Sequence, residues 1–363
     1  MKYNLIFGIR TGDWFRLLRH NGFRIPPRYW GRALVVTLAS LLNSIASWRE
    51  TRRYGAAIAR TRIATHPLFI LGHWRSGTSH LHRLLIQDQR FAFPNGYQTA
   101  NPHSYLTTEK VHTRWLGGLV PARRLEDNMT LGFEVPGEDE IALSILTPDS
   151  TYLAWSFPRN REYYNRCLTL EGLDGGRLQA WKEAYRLFVQ KLTFKHGRPL
   201  VLKSPPNTCR VALLLEMFPE ARFVHIRRHP FDVFRSMEHL IDTWTARYAV
   251  LQDLPPFDPS EQILEQYRRM YGRYFAEKGL IPRGRLHEMA FEDLDEDPVG
   301  QLAVLYDELG LPDFAVARQD VERYCRSVAD YRRNAYTPLP EDLKALIAER
   351  WSQTFANWGY GTE

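Results

Sequence analysis

His66-Pro67-Leu68-Phe69-Ile70-Leu71-Gly72-His73-Trp74-Arg75-Ser76-Gly77-Thr78-Ser79-His80-Leu81 decides the fold. Leu68 to Leu71 is a short apolar run, which suits a strand buried on both faces of a parallel sheet. Gly72 to Ser79 follows as a tight turn, and His80 to Gln87 carries Leu81, Leu84 and Leu85 at helical spacing. Strand, small-residue loop and helix together aim backbone N–H groups at an anion. Gly72 and Gly77 have the glycine spacing of a nucleotide-binding phosphate loop. A kinase or ATPase then needs Lys directly after the second glycine, and Thr78 stands there instead. The cation comes from inside the loop, as Arg75. A plain strand-to-helix turn is the alternative, but Arg, Ser, Gly, Thr and Ser in sequence favour phosphate or sulfate binding.

Working outward, Arg198 to Pro205 contains a second apolar strand that ends in the cation Lys203, and Val211 to Phe218 reads as a helix. Ala221 to Pro230 holds a third strand that ends in Arg227 and Arg228. The next helix, Phe231 to Leu240, carries Ser236 two turns in. Cations and hydroxyls at the carboxyl ends of parallel strands mark the place where open α/β sheets bind ligands.

These elements together resemble the sulfotransferases that use 3′-phosphoadenosine 5′-phosphosulfate (PAPS). Trp74-Arg75-Ser76-Gly77-Thr78-Ser79 is similar to the family's 5′-phosphosulfate loop. Arg228-His229-Pro230-Phe231-Asp232-Val233-Phe234-Arg235-Ser236 is similar to its 3′-phosphate element. Leu202-Lys203-Ser204-Pro205 resembles the Lys-containing strand of the branch that includes tyrosylprotein and many bacterial sulfotransferases. Looser matches are Phe291-Glu292-Asp293-Leu294 and Trp358-Gly359-Tyr360. Trp74 replaces the usual Pro, and His229 replaces the usual acid or amide.

The resemblance implies an α/β fold. Its three-layer, P-loop-like core would have a parallel sheet flanked by helices, with a helical N-terminal extension and a helical C-terminal region. The expected divisions are residues 1–65 for the extension, 66–240 for the PAPS-binding core, and 241–363 for the helical C-terminal part of the same domain. It implies transfer of a sulfuryl group from PAPS to an acceptor hydroxyl or amine by in-line displacement. Arg75, Ser76, Gly77, Thr78 and Ser79 would hold the 5′-phosphosulfate. Arg228 and Ser236 would hold the 3′-phosphate, and Arg332 and Arg333 would close over it. Lys203 would act on the leaving oxygen. Such a reaction works by positioning and charge neutralisation, and no metal is expected. The rival readings are a P-loop kinase or NTPase and a non-catalytic nucleotide-binding protein on the same scaffold.

The proton acceptor is not settled by resemblance. Tyrosylprotein sulfotransferases place a Glu where this chain reads Pro94-Asn95-Gly96-Tyr97-Gln98. Glu140 is the choice, from the acidic run Glu138-Asp139-Glu140, which otherwise simply favours a helix N-terminus. His103 is the rival, with an ordinary pKa already near neutral.

The chain has 363 residues and a net charge of +7, a balance that suits an anionic ligand or surface. No basic-aromatic nucleic-acid motif is evident, so no nucleic-acid partner is expected. The three cysteines, Cys167, Cys209 and Cys325, are far apart and fit a reducing compartment, hence a cytoplasmic location. Aromatics and turn formers between Pro94 and Leu125 suit an acceptor pocket, for which a small molecule, lipid, carbohydrate or peptide all qualify. Ala33 to Trp48 is uncharged but too short to span a bilayer. Leu34, Leu38, Leu41, Leu42 and Ile45 form one stripe, and Thr37, Ser40, Ser44 and Ser47 the other. The segment is either a helix packed on the core or an interfacial helix in peripheral contact with a membrane. Gln262–Phe275, Pro298–Leu309 and Leu339–Phe355 read as further helices.

Overall fold

The computed structural model describes residues 5–63, 66–116, 132–247, 250–330 and 336–362. The chain forms two compact units, each discontinuous in sequence. The first takes Met1–Ala64, Phe93–Gly197 and Thr243–Pro256, and the second takes Thr65–Ala92, Arg198–Asp242 and Phe257–Glu363.

The second unit holds the sheet. Its strands are β1 (Leu68–Leu71), β2 (Val201–Lys203), β3 (Arg222–Arg227) and β4 (Leu286–Ala290). All pair in parallel, in the order β2-β1-β3-β4. Register places Ile70 beside Lys203 and Leu71 beside His225. The expected apolar runs are buried throughout β1 and β2 because helices pack against the sheet. Leu68, Ile70, Leu81, Leu84, Val201, Val224, Ile226, Leu302 and Leu305 form one contiguous core there. The chain leaves β1 towards β2 and later returns to the other side of β1 as β3. That reversal makes the β1/β3 crevice the topological switch point, where open α/β sheets bind ligands.

The boundaries shift in physically explicable ways. The helix after β1 runs Thr78–Leu85, two residues earlier than its leucine spacing indicates, because Gly77 at φ +100° already turns the chain into it. The segment read as one helix over Leu339–Phe355 is two, Glu341–Arg350 and Ser352–Trp358. The break falls at Trp351. Its indole stacks on Tyr267 with ring centroids 3.6 Å apart and donates to the Leu264 carbonyl at 3.0 Å. Strand β4 has no counterpart in the sequence reading.

The first unit is helical. Its helices include Thr11–His20, Trp30–Arg60, Tyr105–Leu116, Asp139–Leu146 and Gly175–His196. Trp14, Leu17, Val36, Ile145, Leu153, Phe157 and Tyr164 form its core. A buried Glu50–Lys191 ion pair braces it, and Glu50 also accepts from the Leu106 N–H at 2.7 Å at the start of the Tyr105–Leu116 helix. No described helix is long and apolar enough to cross a membrane.

Candidate active site

The loop after β1 is held open by backbone geometry that glycine alone adopts cheaply. Gly72 has φ +145°, and a Cβ there would lie 2.6 Å from the Ile226 carbonyl oxygen. Gly77 has φ +100°, and a Cβ there would run into the Phe291 ring. Arg75, a non-glycine residue, sits at φ +70°, a strained conformation that the loop must over-determine. The bracing is visible. The Gly72 N–H donates to Thr208 Oγ1 at 2.7 Å, the His73 N–H to Tyr271 Oη at 3.1 Å, and Ser76 Oγ to the His73 carbonyl at 2.8 Å. Thr78 and Ser79 are the first two residues of the helix, where N–H groups have no partner within the helix itself.

The side chains of several expected ligands converge on this loop within the second unit. Arg75 Nε donates to Ser236 Oγ at 2.8 Å. Arg228 Nη1 donates to the Arg75 carbonyl at 3.3 Å, and its guanidinium lies 4.8 Å from the Phe291 ring centroid. Lys203 Nζ donates to Ser79 Oγ at 3.3 Å, so the last residue of β2 reaches the first turn of the helix after β1. The loop, the end of β2, and the turn after β3 with the Pro230–Arg247 helix that follows it thus gather three cations and two hydroxyls. The carboxylate beside them is Asp232, 3.6 Å from Arg228 and also bonded to Arg235.

Two histidines near the loop are neutral. Burial pushes His73 down to about 4, against the opposing hydrogen bond to the Trp74 carbonyl. That 2.9 Å contact is to a carbonyl, so Nδ1 carries the proton. His82 is pushed well below its ordinary value by burial and then by the Lys203 cation.

Other expected residues stand differently. The Ser76 hydroxyl is buried and spent on the loop's own carbonyl. Glu140 is in the first unit, fully buried in the Asp139–Leu146 helix, where Ser150 Oγ donates to it at 2.7 Å. His103 is also in the first unit, buried with Nε2 3.4 Å from Asp13 Oδ2. Burial lowers its pKa, partly opposed by Asp13. Arg332 and Arg333 lie outside the described residues. Thr208, Tyr271 and Tyr336 were not anticipated. Tyr336 Oη sits 3.1 Å from Ser236 Oγ, and its closeness in sequence to the Arg332-Arg333 pair is a signal that could have found it.

Loop, strand ends and switch point define a class, and comparison with known proteins gives the same one. Residues 67–315 match the model described as the sulfotransferase family. The chain belongs to that family and is a sulfuryl-transferring enzyme. It is similar to the omega-hydroxy-beta-dihydromenaquinone-9 sulfotransferases of Mycobacterium tuberculosis and Mycobacterium bovis. Each is 35% identical over 354 residues, covering 97% of this chain and 90% of its own. Among solved structures it resembles sulfotransferase STF1 of Mycobacterium tuberculosis, with TM-score 0.65, 18% identity, and 96% of this chain and 94% of that one covered. It also resembles sulfotransferase STF9 of Mycobacterium avium, with TM-score 0.66, 16% identity and 96% of each chain covered. These structural likenesses establish the shared α/β fold. The family match and the 35%-identical relatives set sulfuryl transfer over the kinase or NTPase alternative.

Proposed function

We propose that this sulfotransferase takes its sulfuryl group from PAPS and delivers it to the hydroxyl of an apolar, lipid-like acceptor. The observation that carries the donor half is the Arg75–Ser236 hydrogen bond. It joins the loop expected to hold a 5′-phosphosulfate to the residue expected to hold a 3′-phosphate. A donor set of Arg75, Lys203, Arg228, Ser79 and Ser236 around a helix N-terminus fits a nucleotide with phosphate at both positions.

PAPS, when bound, supplies an activated sulfuryl group on a phosphate leaving group. The protein's own residues divide the remaining work. Arg75 and the first N–H groups of the Thr78–Leu85 helix stabilise charge on the transferring group, and their fixed placement means they need not reorganise as that charge develops. Lys203, oriented by Ser79, neutralises charge on the leaving oxygen. Arg228 and Ser236 anchor the 3′-phosphate, and Arg332 and Arg333 are proposed to add to that anchor. Glu140 is proposed to take the acceptor's proton, with His103 as its rival.

The acceptor half rests on the relatives named for an omega-hydroxylated dihydromenaquinone. An alcohol on a long apolar chain is the class proposed here. The test incubates the protein with PAPS and, separately, with omega-hydroxylated isoprenoid quinols, simple sugars and tyrosine peptides, and reads sulfated product by mass spectrometry. Sulfation of the isoprenoid alcohols is expected. Sulfation of sugars or peptides alone would refute the acceptor class, and turnover with adenosine 5′-phosphosulfate but not PAPS would refute the donor.

A further inference from the structure

The Trp30–Arg60 helix is mounted with its faces reversed from what burial of apolar surface dictates. Its hydroxyl stripe turns inward. Trp14 Nε1 donates to Thr37 Oγ1 at 2.9 Å, the Thr11 N–H donates to Ser44 Oγ at 2.9 Å, and Ser40 is fully buried. Asn43 Nδ2 adds a bond to the Phe7 carbonyl at 2.7 Å. The large apolar residues turn outward: Leu34, Val35, Leu38, Leu41, Leu42 and Ile45 are each about half exposed or more, and Leu42 reaches 69%. Trp30 and Trp48 stand at the two ends of the stripe, 63% and 60% exposed. At the helical rise, the stripe is about 27 Å long. Scattered exposed leucines need no explanation, whereas a continuous apolar band of this size marks a partner.

Charge identifies the partner. Residues 5–63 contain eleven arginines and two acids. Both acids are buried and paired: Asp13 with Arg10 at 2.7 Å and Arg16 at 3.1 Å, and Glu50 with Lys191. By helical period, Arg49, Arg52 and Arg53 continue the apolar face for one further turn, and all three are exposed. Arg52 lies 5.7 Å from the Trp48 ring centroid. A second copy of this helix would set arginines against arginines when parallel, and when antiparallel would bring them to Arg24 and to Arg28, whose carboxylate partner Asp253 is already shared with Arg159. An anionic lipid surface would accept the whole set: leucines in the acyl boundary, tryptophans at headgroup level, arginines on the phosphates.

The geometry points to the outer face of the Trp30–Arg60 helix as a docking surface for an anionic phospholipid bilayer, with the helix lying in the interface plane. This holds whatever the enzyme's acceptor is, and its test needs no activity. The full chain is mixed with vesicles of phosphatidylcholine containing phosphatidylglycerol, or of phosphatidylcholine alone, and bound protein is measured by flotation. Wild type should float with the anionic vesicles, far less with the neutral ones, and less at high salt. Leu34→Ser/Leu38→Ser/Leu42→Ser should weaken binding roughly 30-fold or more, since three leucines no longer leave water. These side chains are exposed, so the circular dichroism melt should be unchanged. Arg49→Gln/Arg52→Gln/Arg53→Gln should remove the preference for anionic vesicles, and it decides the matter if the serine variant fails to fold. Three results would overturn the inference: wild type left unbound by anionic vesicles, either variant binding them as wild type does, or a wild-type dimer that the serine variant splits while no vesicle binding is seen.

Discussion

Arg75 and Ser236, 161 positions apart, share a 2.8 Å hydrogen bond from Nε to Oγ. The sheet order makes this possible. β1 and β3 are neighbours, so the loop leaving one and the helix following the other face each other across the switch point. Arg75 reaches across because its backbone is turned to φ +70°, and Arg228 holds that turn by donating to the Arg75 carbonyl.

Arg75→Ala removes a charged donor from the proposed transfer site. It should lower kcat by ~10²–10³ while the fold survives. Arg75→Lys keeps the charge but loses the planar donor to Ser236, and should fall between. Single-turnover rates check both, and wild-type rates in the alanine variant would contradict the loop's role.

Lys203, whose Nζ donates to Ser79 Oγ, is proposed to neutralise charge that grows on the leaving oxygen, so Lys203→Ala should lower kcat with little effect on nucleotide affinity. Rapid-quench rates set beside calorimetric affinities separate the two. Lost affinity with an intact rate would make Lys203 a binding residue only.

Gly77→Ala forces a side chain into a left-handed conformation and against Phe291. It should cost about 2–4 kcal/mol in urea unfolding. Phe291→Leu in the same chain should restore part of the loss by relieving the clash while the φ strain stays. A double variant no more stable than Gly77→Ala would show that the ring is not the obstacle.

Stability should fall as pH drops below 6.5. Burial lowers His73 to about 4 and His225 to about 3, and also lowers His82 and His103 from 6.5. Above 6.5 both folded and unfolded chains carry these rings neutral. Below it the unfolded chain binds protons that the folded chain refuses, so stability is lost until the folded pKa is reached. Each group contributes about 1.4 kcal/mol per pH unit in its window. His225→Phe keeps the stacking on Tyr274, seen at 4.3 Å, and should remove one group's share of the slope down to about pH 3. Unfolding curves with an unchanged slope in that variant would contradict the assignment.

Glu140→Gln preserves an acceptor for Ser150 and removes the charge. If Glu140 takes the acceptor's proton, kcat should drop by ~10²–10⁴ with the melt unchanged. A fully active Glu140→Gln beside an inactive, folded His103→Gln would move the role to His103.

The parts of the fold legible in sequence were those with dense local signals. β1 and β2 are unbroken apolar runs that end in Gly72 and Lys203, and β3 ends in paired arginines before Pro230. β4 escaped because His287 and Glu288 interrupt its apolar residues. Their places are set by tertiary partners, Glu308 at 2.7 Å from His287, and Tyr274 and Lys278 on Glu288. The break at Trp351 depends on Tyr267 and Leu264, far away in sequence. The stripe over Ala33 to Trp48 was legible as two faces, but periodicity gives no sign of which face turns outward. That follows from hydroxyl partners on the Thr11–His20 helix. Cations at strand ends announced themselves, whereas Thr208 and Tyr271 serve the loop, and Tyr336 meets Ser236, through single hydroxyls that carry no pattern.

The most direct test of the proposed two-phosphate site is calorimetric titration with 3′-phosphoadenosine 5′-phosphate and with adenosine 5′-phosphate, for wild type and for Arg228→Ala. A charged hydrogen bond contributes roughly 1.5–3 kcal/mol, so wild type should prefer the 3′-phosphorylated nucleotide by at least ~10-fold, and Arg228→Ala should lose most of that preference. Equal affinity of wild type for the two nucleotides, or a preference left intact in Arg228→Ala, would contradict the account.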